Sequence, residues 1–210
     1  MYLIQKFISW WRAARADILR EYGNTYLTRR ENGRAERALS KAIALNPGLC
    51  EAYHLRGRAR YRLGDYDGAI ADYTKALSIE RKRWEIYLNR GLAHYSNAEI
   101  EDALGDINVA IYYDPRQALA YSSRGLVEEA EGNPTAAMAD YTEAIRLNPR
   151  IDETYTHRGS VRANRGDLSG AIADYQQYLE LGGGWRHGDQ SNIEALIAGL
   201  RGELEQQTSH

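Results

Sequence analysis

Residues 51–77 read Glu51-Ala-Tyr-His-Leu-Arg-Gly-Arg-Ala-Arg-Tyr-Arg-Leu-Gly-Asp-Tyr-Asp-Gly-Ala-Ile-Ala-Asp-Tyr-Thr-Lys-Ala-Leu77, and the rest of the chain repeats their plan. Gly57 has counterparts at Gly23, Gly91, Gly125 and Gly159, each thirty-four residues from the next. Ala69 has counterparts at Ala35, Ala103, Ala137 and Ala171 at the same spacing. A fixed period of this length marks a repeat array, in which each unit buries its apolar face only by stacking on a neighbour. Within the quoted copy, Tyr53, Arg56, Gly57 and Tyr61 fall at helical spacing, and Gly64-Asp65 interrupts them. Ala69, Ile70, Tyr73, Ala76 and Leu77 then resume the pattern as a second amphipathic helix. Gly64 supplies a left-handed position and Asp65 a capping carboxylate. Asn46-Pro47, Asp114-Pro115 and Asn148-Pro149 end second helices, because a residue before proline is driven out of the α region.

A glycine inside a helix costs about 1 kcal/mol relative to alanine, so five on one register need a physical reason. The expected reason is close helix approach, with the missing side chain on the first helix facing the small alanine on the second.

This pattern resembles the tetratricopeptide repeat family, whose signature runs bulky aromatic, Leu-Gly, Tyr, Ala, aromatic, Ala, Pro. The aromatic entry is Tyr53, Tyr87, Tyr121 and Tyr155, with Leu19 in the first copy. The second alanine is Ala42, Ala76, Ala110 and Ala144, replaced by Tyr178 in the last copy, and Arg81 and Gly183 depart from the closing proline. The resemblance covers residues 16–185. It implies an all-α, right-handed α-solenoid of five tandem 34-residue helix-turn-helix repeats (16–49, 50–83, 84–117, 118–151 and 152–185) with a C-terminal capping helix.

The resemblance also implies a concave groove, lined by the first helices, that holds a protein or peptide segment. Here that groove would be built from Arg20, Asn24, His54, Arg58, Tyr61, Arg62, Asn89, Leu92, Tyr95, Leu126 and Glu129. Its early half is basic and aromatic, its later half apolar and acidic, which suits an extended segment with an acidic or aromatic portion. One subtype of the family grips a C-terminal carboxylate of chaperones with a lysine, two asparagines and a further Lys/Arg pair. Arg20 and Asn24 imitate its first element, but Leu55 stands where an asparagine is wanted, and Glu85 and Asn89 where the cationic pair is wanted.

One departure from the family is systematic. Arg56, Arg90, Arg124 and Arg158 precede the glycine where leucine is usual, and the same four copies carry Asp72, Asp106, Asp140 and Asp174 in the second helix. The first copy lacks both, having Tyr22 and Ala38. Charges that appear and vanish together predict an Arg–Asp pair, either across the two helices of a unit or to its neighbour. A basic ladder for an acidic ligand is the functional alternative.

Composition narrows the function. The formal net charge is −2 with 27 % charged residues, so no global excess argues for nucleic acid or an anionic membrane. No recurring polar pair offers a helical-repeat code for RNA bases. The single cysteine, Cys50, excludes an internal disulfide and fits a reducing, cytoplasmic setting. His54, His94, His157, His187 and His210 form no metal-ligand spacing. Cys50 has no evident base partner, and Gly182-Gly183-Gly184 is followed by no Lys-Ser/Thr pair for phosphate. Glu128 and Glu129 are adjacent on a helix and diverge, whereas paired carboxylate catalysis needs convergence. The expectation is a non-catalytic scaffold or adaptor with no cofactor and no metal.

Two segments flank the repeats. Residues 1–15 place Leu3, Ile4, Phe7, Ile8, Trp10, Trp11 and Ala14 on one helical face, with Gln5, Lys6, Ser9 and Arg12 opposite. The run is too short and too charged to span a bilayer and has no signal-peptide core. It can extend the first helix and pack on the solenoid, lie in a membrane interface through residues 2–14, or dock a partner or a second copy. The membrane reading makes the chain a peripheral assembly factor. At the other end, residues 182–190 read as a flexible break and Ser191-Asn192-Ile193-Glu194 as a capping box. Ile193, Leu196, Ile197, Leu200 and Leu204 form the face of a terminal helix that covers the last repeat. Gln206 to His210 are expected to be disordered.

Overall fold

Turn chemistry sets the helix boundaries. Gly64, Gly132 and Gly166 occupy left-handed positions at φ 83°, 86° and 81°, each closing the first helix of a hairpin. Asp65 and Asp167 cap the helices that follow, their side chains accepting from the backbone N–H of Gly68 and Gly170. Where glycine is missing from this turn, Arg30 and Ala98 take the same region at φ 59° and 61°. Second helices end at Leu45, Tyr113 and Leu147, directly before Asn46-Pro47, Asp114-Pro115 and Asn148-Pro149.

The computed structural model describes residues 1–208, and every described element is an α-helix. The helices group into two compact units, Met1–Tyr113 and Asp114–His210. The first holds α1 (Tyr2–Thr28), α2 (Asn32–Leu45), α3 (Cys50–Leu63), α4 (Tyr66–Ile79), α5 (Trp84–Ser96) and α6 (Ile100–Tyr113). There α1 pairs with α2, α3 with α4 and α5 with α6, while α2 meets α3 and α4 meets α5. The second holds α7 (Ala118–Ala130), α8 (Pro134–Leu147), α9 (Asp152–Asn164), α10 (Leu168–Glu180), α11 (Gly183–His187) and α12 (Gln190–Thr208). Its helices pair as α7 with α8 and α9 with α10, and α12 lies on α10. The expected tandem helical hairpins with a C-terminal capping helix are therefore present. Among the described residues, no helix is long and apolar enough to cross a membrane.

The glycine column is a site of close approach, but not to alanine. A Cβ on Gly23, Gly57, Gly91 or Gly125 would fall 2.5–2.8 Å from a side-chain carbon of Leu39, Tyr73, Ile107 or Tyr141 respectively. At Gly159 the nearest atom, on Tyr175, is 3.1 Å away. These partners lie four residues beyond the alanine column, one helical turn on. The alanines are fully buried beside them, and Ala103 and Ala171 contribute only a backbone carbonyl to the glycine contact. The glycines make room for large side chains, Tyr73 and Tyr141 above all, which are almost wholly buried.

The Arg–Asp pairs close each hairpin that has them. Arg56 Nε and Nη2 donate to Asp72 Oδ2 and Oδ1 at 2.8 and 2.6 Å. The same fork joins Arg90 to Asp106, Arg124 to Asp140 and Arg158 to Asp174, at 2.7–3.0 Å. Such bidentate pairs are shorter and stronger than neutral hydrogen bonds. Each guanidinium also lies 5.6–5.8 Å from the ring of the tyrosine three residues earlier, Tyr53, Tyr87, Tyr121 or Tyr155. A remaining N–H of Arg56, Arg90 and Arg158 reaches the hydroxyl of Ser40, Thr74 and Thr142 on the preceding second helix. The carboxylates of Asp106 and Asp140 hold Arg90 and Arg124 above the ordinary guanidinium range, against the opposing effect of burial. Paired in this way, the arginines are clasps within the fold and do not form a ladder for a ligand.

Each flanking segment meets its expectation only in part. Residues 182–190 are not a flexible break: Gly182 and Gly188, at φ 79° and 74°, bracket the short helix α11. A Cβ on Gly183 would run into the Tyr178 ring, and Tyr178 OH donates to Asp189 Oδ1 at 2.8 Å. The two departures at Tyr178 and Gly183 are thus one feature, a buried ring in the space of an absent side chain. Helix α12 starts at Gln190, so Ser191 lies inside it and no capping box forms there. Ile193, Ile197, Leu200 and Leu204 cover Leu168, Ile172 and Leu179 of α10, while Leu196 points out at 42 % exposure. The helix continues through Gln206 to Thr208, where disorder was expected; Ser209 and His210 lie outside the described residues. At the other end, residues 2–15 join the first hairpin as a single helix, α1, whose first turns do not pack on it; further along, Ile8, Arg12 and Ala13 border an open hollow with Leu45 and Asn46 at the end of α2. Leu3 is 79 % exposed, Phe7 62 % and Trp10 65 %, because α2 ends at Leu45 and leaves the first turns of α1 unaccompanied.

Candidate functional site

The first unit brings several predicted residues to one place. Arg58, Tyr61 and Arg62 of α3 face Asn89 and Leu92 of α5 across an open groove of about 220 Å³ with Tyr73 of α4 in its floor. Helical spacing aligns Arg58, Tyr61 and Arg62 on one side of α3, and the Gly57–Tyr73 contact sets how near α4 comes beneath them. Burial pushes the Tyr73 phenol far above its ordinary range, so it stays neutral. Arg62 also borders a second hollow with Arg30 from the α1–α2 turn and Asn32 at the start of α2, and its Nη1 donates to Leu27 O at 2.9 Å. Among the described residues, Arg30, Arg58 and Arg62 have no carboxylate within ion-pair distance, whereas Arg56, Arg60, Arg83 and Arg90 of the same unit all do. The groove therefore carries uncompensated positive charge. Sequence spacing did not identify Arg30, Asn32 or Tyr73, since Arg30 lies in a turn, Asn32 is the first residue of α2 and Tyr73 belongs to the core column.

Other predicted positions fall elsewhere. His54 is buried: its Nε2 lies 2.9 Å from Asn89 Nδ2 and its ring 6.1 Å from that of Tyr73, so it supports the floor and does not line the groove. Tyr61 is held by Ser96, its hydroxyl 3.1 Å from Ser96 Oγ, and by the Tyr66 ring. Arg20 pairs with Glu21 at 2.7 Å, and Asn24 is exposed on α1; neither joins the groove between α3 and α5. Tyr95 is half-buried on α5, outside that lining. Leu126 and Glu129 belong to the second unit, where Glu129 accepts from Tyr141 OH at 2.9 Å.

The chemistry elsewhere is sparse. Cys50 is buried and its thiol donates to Ala76 O at 3.4 Å; burial, with Glu80 nearby, pushes its pKa up to about 11. It should therefore resist iodoacetamide at pH 8 in the folded protein and react promptly in denaturant; equal labelling rates in both states would contradict the burial. His94, Glu99 and Asp102 bring one ligand atom each to within 4.8 Å of one another, a convergence that sequence spacing did not reveal. His94 already meets Glu99 through Nδ1 at 2.5 Å and lies 3.7 Å from Asp106 through Nε2, so its ring nitrogens are engaged within the fold.

A second surface is the bare face of α1. Phe7, Ile8, Trp10 and Trp11 are all exposed there, and Trp11 carries Arg15 over its ring at 5.1 Å.

Comparison with known proteins agrees with this architecture. The family model described as TPR repeat matches residues 57–97, and the one described as Tetratricopeptide repeat matches residues 88–152 and 122–184. Together they span more than half of the chain. No curated protein sequence matches it. Among solved structures, PilF of Pseudomonas aeruginosa is similar at 19 % identity and TM-score 0.76, over 93 % of each chain. TTC0263, a thermophilic TPR protein of Thermus thermophilus, aligns at 19 % identity and TM-score 0.71, over 88 % of this chain and 98 % of its own. YrrB, described as a TPR protein with an unusual peptide-binding site, aligns at 17 % identity and TM-score 0.61, over 78 % of this chain and 84 % of its own. At these identities the likeness concerns the fold.

Proposed function

Since the chain belongs to the tetratricopeptide repeat family, we propose that it is a non-catalytic scaffold whose first unit holds an extended acidic segment of a partner protein between α3 and α5. The observation that carries this reading is the set of arginines without a carboxylate partner among the described residues, Arg58 and Arg62 on a groove with a tyrosine floor and Arg30 on the hollow beside it. Cations with no carboxylate partner within the fold favour a carboxylate-bearing ligand, and Tyr61 and Leu92 offer apolar contact beside them. Peptide binding by the structurally similar YrrB supports the same use of the fold. The test is capture of partners by the wild-type chain and by an Arg58→Glu, Arg62→Glu variant, with Arg146→Glu on the exposed surface of the second unit as control. Partners should be retained by the control and lost by the double reversal, and should elute as salt is raised. Retention by the double variant would place the binding surface elsewhere. The bare face of α1 favours an addition to this role, in which the scaffold works at a membrane.

A further inference from the structure

We infer that the exposed face of α1 docks on an anionic lipid surface, with the helix lying in the plane of the interface; this rests on the membrane-associated reading of the scaffold and names its lipid class. At about 100° per residue, Ile4, Phe7, Trp11 and Ile18 stand in one row along α1, with Leu3, Trp10 and Ala14 on one side of it. All but Ala14 are well exposed, so the row is bare along the helix. The buried residues of α1, Ala16, Gly23 and Leu27, lie on the opposite side, toward α2. The body of the unit therefore sits behind the helix and leaves the apolar row free to meet a flat surface.

Charge identifies the occupant. Before Asp17 the chain carries Lys6, Arg12 and Arg15, and no acidic residue. Arg15 lies 5.1 Å from the Trp11 ring in the row itself, while Lys6 and Arg12 stand about 120° to either side of the row. An interfacial helix has this arrangement, with apolar side chains among the acyl chains, rings at headgroup level and cations reaching lipid phosphates. A second copy of α1 fits poorly. The spacing 4, 7, 11, 14 and 18 would pair two such helices, but their flanks would set Lys6, Arg12 and Arg15 against the same cations with no glutamate to answer them.

The test is co-sedimentation of the full chain with vesicles of phosphatidylcholine alone and with added phosphatidylserine, at physiological salt. Binding is expected only where phosphatidylserine is present. A Lys6→Gln, Arg12→Gln, Arg15→Gln variant should bind on the order of 100-fold more weakly. Phe7→Ser with Trp11→Ser should weaken binding by at least about 100-fold, and both residues are exposed, so circular dichroism should stay unchanged. The Arg58→Glu, Arg62→Glu variant should bind vesicles normally, which separates this surface from the groove. Failure of the wild type to sediment with phosphatidylserine vesicles overturns the inference, as does binding indifferent to both sets of substitutions. A dimer in sedimentation velocity that Phe7→Ser, Trp11→Ser dissociates, with vesicles unbound, would assign the face to a second copy.

Discussion

Asp72→Ala is expected to destabilise the first unit by about 3–5 kcal/mol, read as a lowered urea midpoint. Asp72 is 3 % exposed and accepts from Arg56 twice and from Arg60 Nη1 at 3.0 Å. Removing the carboxylate leaves two guanidiniums half-buried with their shared acceptor gone. Most of the loss is that stranded charge, not the attraction of the pair. Asp174, which accepts from both Arg158 and Arg162, should behave alike. Asp140→Ala should cost less, because Glu128 stands where Arg60 and Arg162 supply the second cation. Asp67→Ala removes only an exposed bond from Asn97 and should change stability by no more than about 0.5 kcal/mol. Equal effects at Asp72 and Asp67 would refute the clasp.

Gly57→Ala should destabilise the protein by about 1–3 kcal/mol, although alanine favours a helix by about 1 kcal/mol. The added methyl would lie 2.6 and 2.8 Å from two ring carbons of Tyr73, which is 1 % exposed and has nowhere to retreat. Gly105→Ala is the matched control. It lies inside α6 with nothing within 4 Å of the new Cβ, so only the helix preference acts and stability should rise by up to about 1 kcal/mol. Thermal melts of the two variants should move in opposite directions. A parallel rise would mean that the glycine column is not a contact site.

Repeat period, turns and clasps were legible in the sequence because each leaves a mark at fixed spacing. Gly64, Asp65 and Pro47 act through local backbone geometry, and Arg56 and Asp72 betray their contact by being absent together from the first copy. Contacts that depend on helix rotation were less legible. The glycine column meets the residue one turn past the alanine, and a helical repeat makes both positions recur alike from copy to copy. Tyr178 and Gly183 looked like two separate faults, since nothing local says that one ring fills the other's vacancy. Of the groove, the α3 and α5 positions could be read from periodicity. His54 could not, because a histidine on the right face can still sink beneath its neighbours when Asn89 offers it a bond. The apolar face of α1 was plain in the sequence, but whether it was covered depended on the length of α2.

The sixteen-residue reach of each clasp bears on the order in which the chain assembles. During synthesis a guanidinium such as that of Arg56 emerges after Ser40 and before Asp72, and it bonds to both. Its backward contact is to a helix already made, and its forward contact arrives about one to three seconds later at ordinary elongation rates. Every hairpin with such a contact can thus lock onto its predecessor while the next is still within the ribosome.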